Sequence, residues 1–132
     1  LYDTDMNEMS YYENISLLAY SPLAGGLLTG KYLNNEMPTD SRITRVSTIG
    51  DRVNKNAMKA VQEYMKISKK FNIHPVHLAL AFCTKRPFMG SVIFGATTDE
   101  QLDVVIKGLD VDLNDEIMKE ISLVYKNYAL TF

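Results

Sequence analysis

The sequence predicts an α/β fold with parallel strands. Two short runs, residues 15–20 and 91–94, are uncharged and almost continuously apolar, which is typical of strands buried on both faces of a parallel sheet. Between and after these runs, apolar residues recur at helical spacing. Strands that alternate with helices in this way pack as a parallel sheet covered by helices. The length of 132 residues is that of one domain.

The first half of the chain holds one strand between less regular segments. Residues 5–12 form a short helical stretch, and the strand over 15–20 follows it. Ser21-Pro22 ends this strand, because proline has no amide proton for the sheet and restricts the residue before it. Residues 34–51 are polar and predict a long loop, of the kind that is often functional.

The second half predicts helices on either side of the second strand. Residues 53–71 show an amphipathic helical pattern with lysines on the outer face, and Pro75 is placed at the first turn of a largely buried helix over 76–82. The second strand stops at Gly95. Thr98 and Gln101 then have the spacing of a capping box.

The end of the chain predicts two further helix boundaries. Gly108 closes the helix that begins at Thr98, and Asn114 caps a last helix. Two parallel strands cannot cover this many helices, and the unpaired edges of such a sheet would be exposed. We therefore expect either hidden short strands or a sheet that is completed by chain absent here.

Charge and composition exclude several classes of protein. With 14 Lys and Arg against 16 Asp and Glu, and a single cysteine, the chain fits a cytoplasmic, reducing environment and no disulfide framework. The longest uncharged stretch, residues 15–30, is interrupted by proline and glycine, so no membrane span or membrane partner is expected. Residues 31–86 hold eleven bases and four acids. Part of this excess lies on a predicted helix without interleaved aromatic residues, which argues against nucleic acid as a partner; these residues are Lys55, Lys59, Lys66, Lys69 and Lys70.

Two local patterns suggest other chemistry and are not favoured. Gly25 and Gly30-Lys31 have the spacing of a phosphate-binding P-loop, but Tyr32 replaces the Ser or Thr that holds magnesium. His74 and His77 are three residues apart, yet no carboxylate signature accompanies them, so no metal site is predicted. Cys83 lies in an apolar helical run and is expected to be a core residue.

Four motifs taken together resemble the C-terminal part of an aldo-keto reductase. They are residues 18–26, residues 28–32, Ser41-Arg42, and residues 92–97 with Gln101-Leu102. They cover essentially the whole chain in family order, and they are most similar to the branch that includes potassium-channel β subunits and related microbial reductases. The resemblance implies that residues 1–132 are the C-terminal portion of a single (β/α)8 TIM barrel domain. The two strands would be strands 7 and 8 with their flanking helices, and the N-terminal part would be absent.

The resemblance also implies a binding site for NADP(H). Tyr20 matches the aromatic residue on which the nicotinamide ring stacks, although a core tyrosine at a strand end is the alternative. Lys31 matches a charge near the phosphates, and Arg42 matches the arginine at the adenosine 2′-phosphate. The segment that matches the wrapping of the pyrophosphate consists of Ser21, Pro22, Leu23, Ala24 and Gly25.

A second segment matches the adenosine side of the family's site. It contributes Gly95, Thr97 and Gln101, and for Gln101 the capping role competes directly. Val104-Val105 depart from the polar residues that the family often has here, so an adenine contact is expected to be lost.

The resemblance implies a reductase of aldehydes or ketones with a small carbonyl substrate. The family's catalytic aspartate, tyrosine, lysine and histidine lie in the first half of the barrel, so no residue of this chain is predicted to be catalytic. We expect the missing barrel half or a completing chain to supply them, and this chain alone to be inactive. The alternatives are a non-catalytic member that binds nucleotide or a partner protein, a truncated product, and a self-standing α/β interaction domain.

Overall fold

The computed structural model describes residues 2–46 and 53–129 and shows a two-stranded parallel sheet. Strand β1 is Leu17–Tyr20 and strand β2 is Met89–Ile93. Leu18 pairs with Ser91 and Tyr20 with Ile93, after a register shift between Leu17 and Leu18. The predicted order of α and β elements and the parallel pairing are confirmed.

Helices precede, connect and follow the strands. A π-helical turn at Tyr2–Met6 leads into α1, Asn7–Glu13, and a short α2, Arg42–Arg45, lies between the strands. The two long connecting helices are α3, Lys55–Lys70, and α4, Pro75–Thr84. After β2 come α5, Asp99–Lys107, and α6, Asp115–Asn127. Kinked 3₁₀ segments occupy Ala24–Thr29 and Leu33–Asn35.

In the described part of the chain the core consists of three apolar clusters, each between different elements. The first joins α3, α4 and α6 through buried residues that include Ile67, Leu78 and Ile121. The second joins the segment after β1 to α2 and α3, and its buried members are Leu27, Tyr32, Ile43 and Val61. The third joins β2, α4 and α5 around Val76, Leu80 and Val105, with Leu23, Val92 and Val104 packed against it.

One prediction about the strands is wrong. The sheet is not buried on both faces, because Leu18, Tyr20 and Ile93 are 63%, 77% and 51% exposed. Ala19 and Val92 alternate with these residues and are partly buried. Helices therefore cover one face of the sheet in the described part of the chain, and the apolar side chains of the other face meet solvent.

The loop predicted over 34–51 is more structured than expected. It contains α2, whose Ile43 is buried against Leu27 and Val61, while residues 47–52 lie outside the described residues. Cys83 is only partly buried, although burial does raise the pKa of its thiol. Within the described ranges, no helix is both long enough and apolar enough to cross a membrane.

Candidate functional site

The segments that follow the two strands start from the same edge of the sheet. Tyr20 and Ile93 are paired at the carboxyl ends of β1 and β2. The backbone N–H of Ser21 then donates to the carbonyl of Ile93 at 3.1 Å, which extends the ladder by one bond. In parallel sheets covered by helices, ligands bind outside this edge. The two chain segments predicted to form one site therefore do begin side by side.

The segment after β1 is a tight turn with an unusual backbone. Ser21, Ala24, Gly25 and Gly26 have φ values of 59°, 49°, 69° and 97°, in the left-handed region that glycine adopts most easily. The turn is closed by hydrogen bonds from the amides of Ala24 and Gly26 to the carbonyls of Ser21 and Leu23, both 2.9 Å. Its residues are small, so a ligand can approach the backbone closely.

Apolar anchors hold this turn on both sides. Leu27 is 1% exposed and packs in the cluster that also contains Ile43 of α2. Leu23 packs against the cluster of β2, α4 and α5. Leu23 lies between Ser21 and Ala24, which both have positive φ values. Because its side chain is packed in the core, Leu23 fixes the shape of the turn on the side of α5. The turn is thus built into the core although its outer surface is partly exposed.

Lys31 lies beside the turn. The Thr29 hydroxyl donates to the carbonyl of Gly26 at 2.8 Å and accepts from the amide of Lys31 at 3.3 Å. A Cβ atom built on Gly26 would lie 3.0 Å from Cε of Lys31, so the lysine chain passes directly over that glycine. The ammonium group also lies 5.0 Å from the centre of the Tyr32 ring. Thr29 was not predicted as a site residue, although it lies within the motif over residues 28–32.

Arg42 is carried by α2 close to the same core cluster. Ser41 is buried and precedes the helix, and its carbonyl accepts from the amides of Thr44 and Arg45, both at 3.1 Å. Ile43 anchors α2 against Leu27 of the turn, while Arg42 itself is exposed. Arg45, three residues along, donates from Nε to the carbonyl of Asp40 at 2.8 Å. The helix therefore presents Arg42 to solvent from a buried base next to the turn.

The segment after β2 forms a second arm that ends in α5. The Thr98 hydroxyl accepts from the amide of Gln101 at 3.3 Å, as predicted for a helix cap. Gln101 does not return to Thr98, however, but accepts through Oε1 from the amide and the hydroxyl of Thr97, both at 3.1 Å. In a capping box, Gln101 would accept from the amide of Thr98. Here it accepts from the amide of Thr97, one residue before the cap. These bonds use only the carbonyl oxygen and leave both amino protons of Gln101 available.

Acidic residues follow the cap in the first turn of α5. They are Asp99 and Glu100. The Glu100 carboxylate accepts a hydrogen bond from the Thr98 side chain and another from the Glu100 backbone amide, and these bonds lower the pKa of Glu100 below its usual value. Carboxylates at this helix end disfavour a phosphate there. The arm containing Gly95, Thr97 and Gln101 therefore suits an uncharged part of a ligand, whereas Lys31 and Arg42 on the other side suit anionic groups.

The two valines of α5 offer no polar side chain to this edge. Val105 is 3% exposed within the cluster around Val76 and Leu80, and Val104 is partly buried against it. Their packing explains why apolar residues stand here.

The histidine pair has two structural roles. Nδ1 of His74 accepts from the amide of Val76 at 3.2 Å and caps α4, while Nε2 of His77 lies 2.8 Å from the carbonyl oxygen of Val104. Partial burial and the neighbouring His77 lower the pKa of His74. Among the described residues no group of three or more His, Cys, Asp or Glu side chains is arranged to hold a metal ion.

Comparisons with known proteins find a matching family and several related sequences. The sequence model of the aldo/keto reductase family matches residues 2–126. Protein tas of Escherichia coli strain K12 is 38% identical over 128 residues, which are 97% of this chain and 37% of that protein. The chain thus spans little more than a third of the length of this curated relative.

Two further relatives are a channel subunit and a reductase by name. A probable voltage-gated potassium channel subunit beta of Oryza sativa subsp. japonica is 32% identical over 118 residues, 86% of this chain and 36% of that protein. The L-glyceraldehyde 3-phosphate reductase of Escherichia coli strain K12 is 32% identical over 107 residues, 73% of this chain and 29% of that protein.

Proposed function

The chain belongs to the aldo/keto reductase family, and on that premise we propose that it carries the NADP(H)-binding part of an oxidoreductase that reduces aldehydes or ketones. The observation that supports this most strongly is the bond from Ser21 to Ile93, which brings the turn after β1 and the arm after β2 to one edge of the sheet. We further propose that β1 and β2 are the seventh and eighth strands of a (β/α)8 barrel, whose active sites lie at this edge.

The nicotinamide ring is assigned to Tyr20. This tyrosine is 77% exposed at the carboxyl end of β1, on the sheet face that the helices leave open. A planar heteroaromatic ring can stack on such a side chain, and offset stacking of this kind contributes about 0.5–1.5 kcal/mol beyond the buried area.

The phosphates are assigned to the turn and to the cations beside it. Ser21, Pro22, Leu23, Ala24 and Gly25 form a backbone-lined bend that small residues leave accessible, and Lys31 passes over its end. Arg42 is assigned to the adenosine 2′-phosphate, since a guanidinium group can hold a phosphate with two parallel hydrogen bonds. Its helix is anchored to the same cluster as the turn.

The adenosine is assigned to the arm after β2. Gly95 has no heavy atom within 4 Å of the place where a Cβ would stand, so a ligand can approach its backbone. Thr97 and Gln101 are linked to each other, and the amino group of Gln101 points away from those bonds as a donor. The valines 104 and 105 leave the adenine with fewer polar partners.

Bound NADPH would supply a hydride to the carbonyl carbon of the substrate. The described residues bind and orient the cofactor, and none of them is assigned as the acid that protonates the carbonyl oxygen. We assign that acid to chain outside these 132 residues, either the remaining part of a barrel or a completing partner chain. We propose a cytoplasmic location for this activity, which the single cysteine of the chain supports.

The test uses the protein as its complete gene encodes it. NADPH is titrated by fluorescence, and NADPH consumption is followed with a panel of small aldehydes and ketones. Saturable binding with carbonyl-dependent consumption is expected. A protein that binds no NADPH would refute the proposal.

Binding without consumption by any carbonyl would favour a second function. The relatives named as potassium channel subunits beta support this candidate, in which the nucleotide-binding chain acts through a partner protein. The two functions share the cofactor site and differ in turnover, so the consumption assay separates them.

A further inference from the structure

We propose that His77 is a positioning residue that holds α5, and with it the arm containing Thr97 and Gln101, in place at the cofactor edge. The proposal deepens the function proposed above and rests on it for its effect on the cofactor. It starts from the contact between Nε2 of His77, on α4, and the carbonyl oxygen of Val104, on α5.

This contact gives the Val104 carbonyl, in the last turn of α5, a side-chain partner on another helix. In a regular helix the amide of Gly108 would donate to Val104, four residues earlier. Here that amide donates to the carbonyl of Val105 at 3.0 Å, as happens in a tightened last turn. Nε2 of His77 lies 2.8 Å from the Val104 oxygen and binds it from α4, at this tightened turn. Because a carbonyl can only accept, Nε2 carries the proton.

Gly108 makes room for the histidine ring. Gly108 is buried, and a Cβ atom on it would lie 2.7 Å from Cδ2 and 3.2 Å from Cα of His77. Its φ of −84° is available to any residue, so space and not backbone conformation requires glycine here. The expectation that this glycine simply ends a helix is therefore incomplete, since it also forms one half of a His77–Gly108 contact between α4 and α5.

The contact is connected to the cofactor edge through a short rigid helix. The nine residues of α5 follow the cap at Thr98 and run from Asp99 to Lys107, and Val105 is buried against Val76 and Leu80 of α4. The His77 bond and the Val105 contact lie in the last turn, while the bonds of Gln101 to Thr97 lie at the first. A change in the docking of the last turn therefore moves the arm that carries Thr97 and Gln101.

The experiment compares three variants of the protein encoded by the complete gene. His77→Leu removes the donor, His77→Gln restores an N–H donor, and His74→Ala perturbs the same helix without removing a contact to α5. His74 is a suitable control because its ring is 4.9 Å from that of His77 and caps α4 through Val76. The readouts are hydrogen exchange of the α5 amides and the affinity for 2′,5′-ADP, a probe of the adenosine end alone.

The expected result is faster exchange in α5 and about fivefold weaker binding of 2′,5′-ADP in His77→Leu. His77→Gln should recover both properties, and His74→Ala should change neither beyond a uniform loss of stability. Gly108→Ala should reproduce the effects of His77→Leu, because the added methyl displaces the ring.

Two results would overturn the proposal. One is unchanged α5 exchange in His77→Leu, and the other is an equal loosening of α5 in His74→Ala. A wild-type protein that binds neither NADPH nor 2′,5′-ADP would refute the proposed function, while the exchange data would still decide whether His77 holds α5. The two failures are thus distinguishable.

Discussion

The amide of Ser21 donates to the carbonyl of Ile93 at 3.1 Å, one residue beyond the last pair of the sheet. Ser21 is also the first residue of the turn with a positive φ, at 59°. The last hydrogen bond between the strands therefore fixes where the turn begins relative to the segment after β2. It brings two segments that are about seventy residues apart in the sequence to the same end of the sheet.

The exposed ring of Tyr20 gives the first prediction. Tyr20→Ala should weaken NADPH binding by about twofold to tenfold, because a stacking contribution of about 0.5–1.5 kcal/mol is lost. Tyr20→Phe should bind nearly as well, since it keeps the ring. Tyr125→Ala, at a half-exposed position on α6, serves as a control for removing a surface tyrosine. Equal affinities for the Ala and Phe variants of Tyr20 would contradict the stacking role.

Gly26 and Gly95 should respond differently to the same substitution. Gly26 has φ 97°, which strains any residue with a Cβ, so Gly26→Ala should destabilise the protein by about 1–2 kcal/mol even if the Lys31 side chain moves aside. Around Gly95 the space is open, so Gly95→Ala should leave the unfolding midpoint nearly unchanged and act on cofactor affinity instead. Chemical denaturation of both variants measures the difference, and a strongly destabilised Gly95→Ala would show that the arm is packed more tightly than described.

His74 should make stability depend on pH. Burial, with a smaller contribution from His77, lowers its pKa in the folded protein below the ordinary 6.5. The unfolded chain then binds more protons, so the stabilising contribution is fully present above pH 6.5 and is lost as the pH falls through the folded pKa. Once Nδ1 of His74 is protonated, it also cannot accept the hydrogen bond from the amide of Val76. Denaturation between pH 5 and 8 should show this loss.

His74→Asn is the control for that pH dependence. Asparagine is a good helix cap and does not titrate, so this variant should keep most of the stability and lose the His74 part of the slope. His74→Ala should cost about 1 kcal/mol at neutral pH through loss of the cap. A slope that is identical in wild type and His74→Asn would contradict the assignment to His74.

The sequence predicted much of the fold because its signals are local. The apolar runs, Pro75 at a helix start and the caps at Thr98 and Asn114 each act within a few residues, and the structure confirms them. The family resemblance drawn from the motifs is likewise confirmed by the match over residues 2–126. The burial of the strands was mispredicted because it depends on what covers the second face, which composition does not report.

The interactions that join distant elements were not predictable from the sequence. His77 and Val104 are twenty-seven residues apart, and nothing in the pattern of α4 indicates that one histidine caps its own helix while the other reaches α5. The return of Gln101 to Thr97 instead of Thr98 depends on side-chain reach in the same way. Such contacts are set by how the helices pack.

The claim that these segments together bind NADP(H) is tested most directly by the cofactor preference of Arg42→Ala. NADPH and NADH are titrated against the wild-type protein encoded by the complete gene, Arg42→Ala, and the control Arg45→Ala, whose side chain is engaged with Asp40. We expect Arg42→Ala alone to lose about 1.5–3 kcal/mol of NADPH affinity, roughly tenfold or more, while NADH binding stays unchanged. An unaltered NADPH to NADH preference in Arg42→Ala would contradict the account.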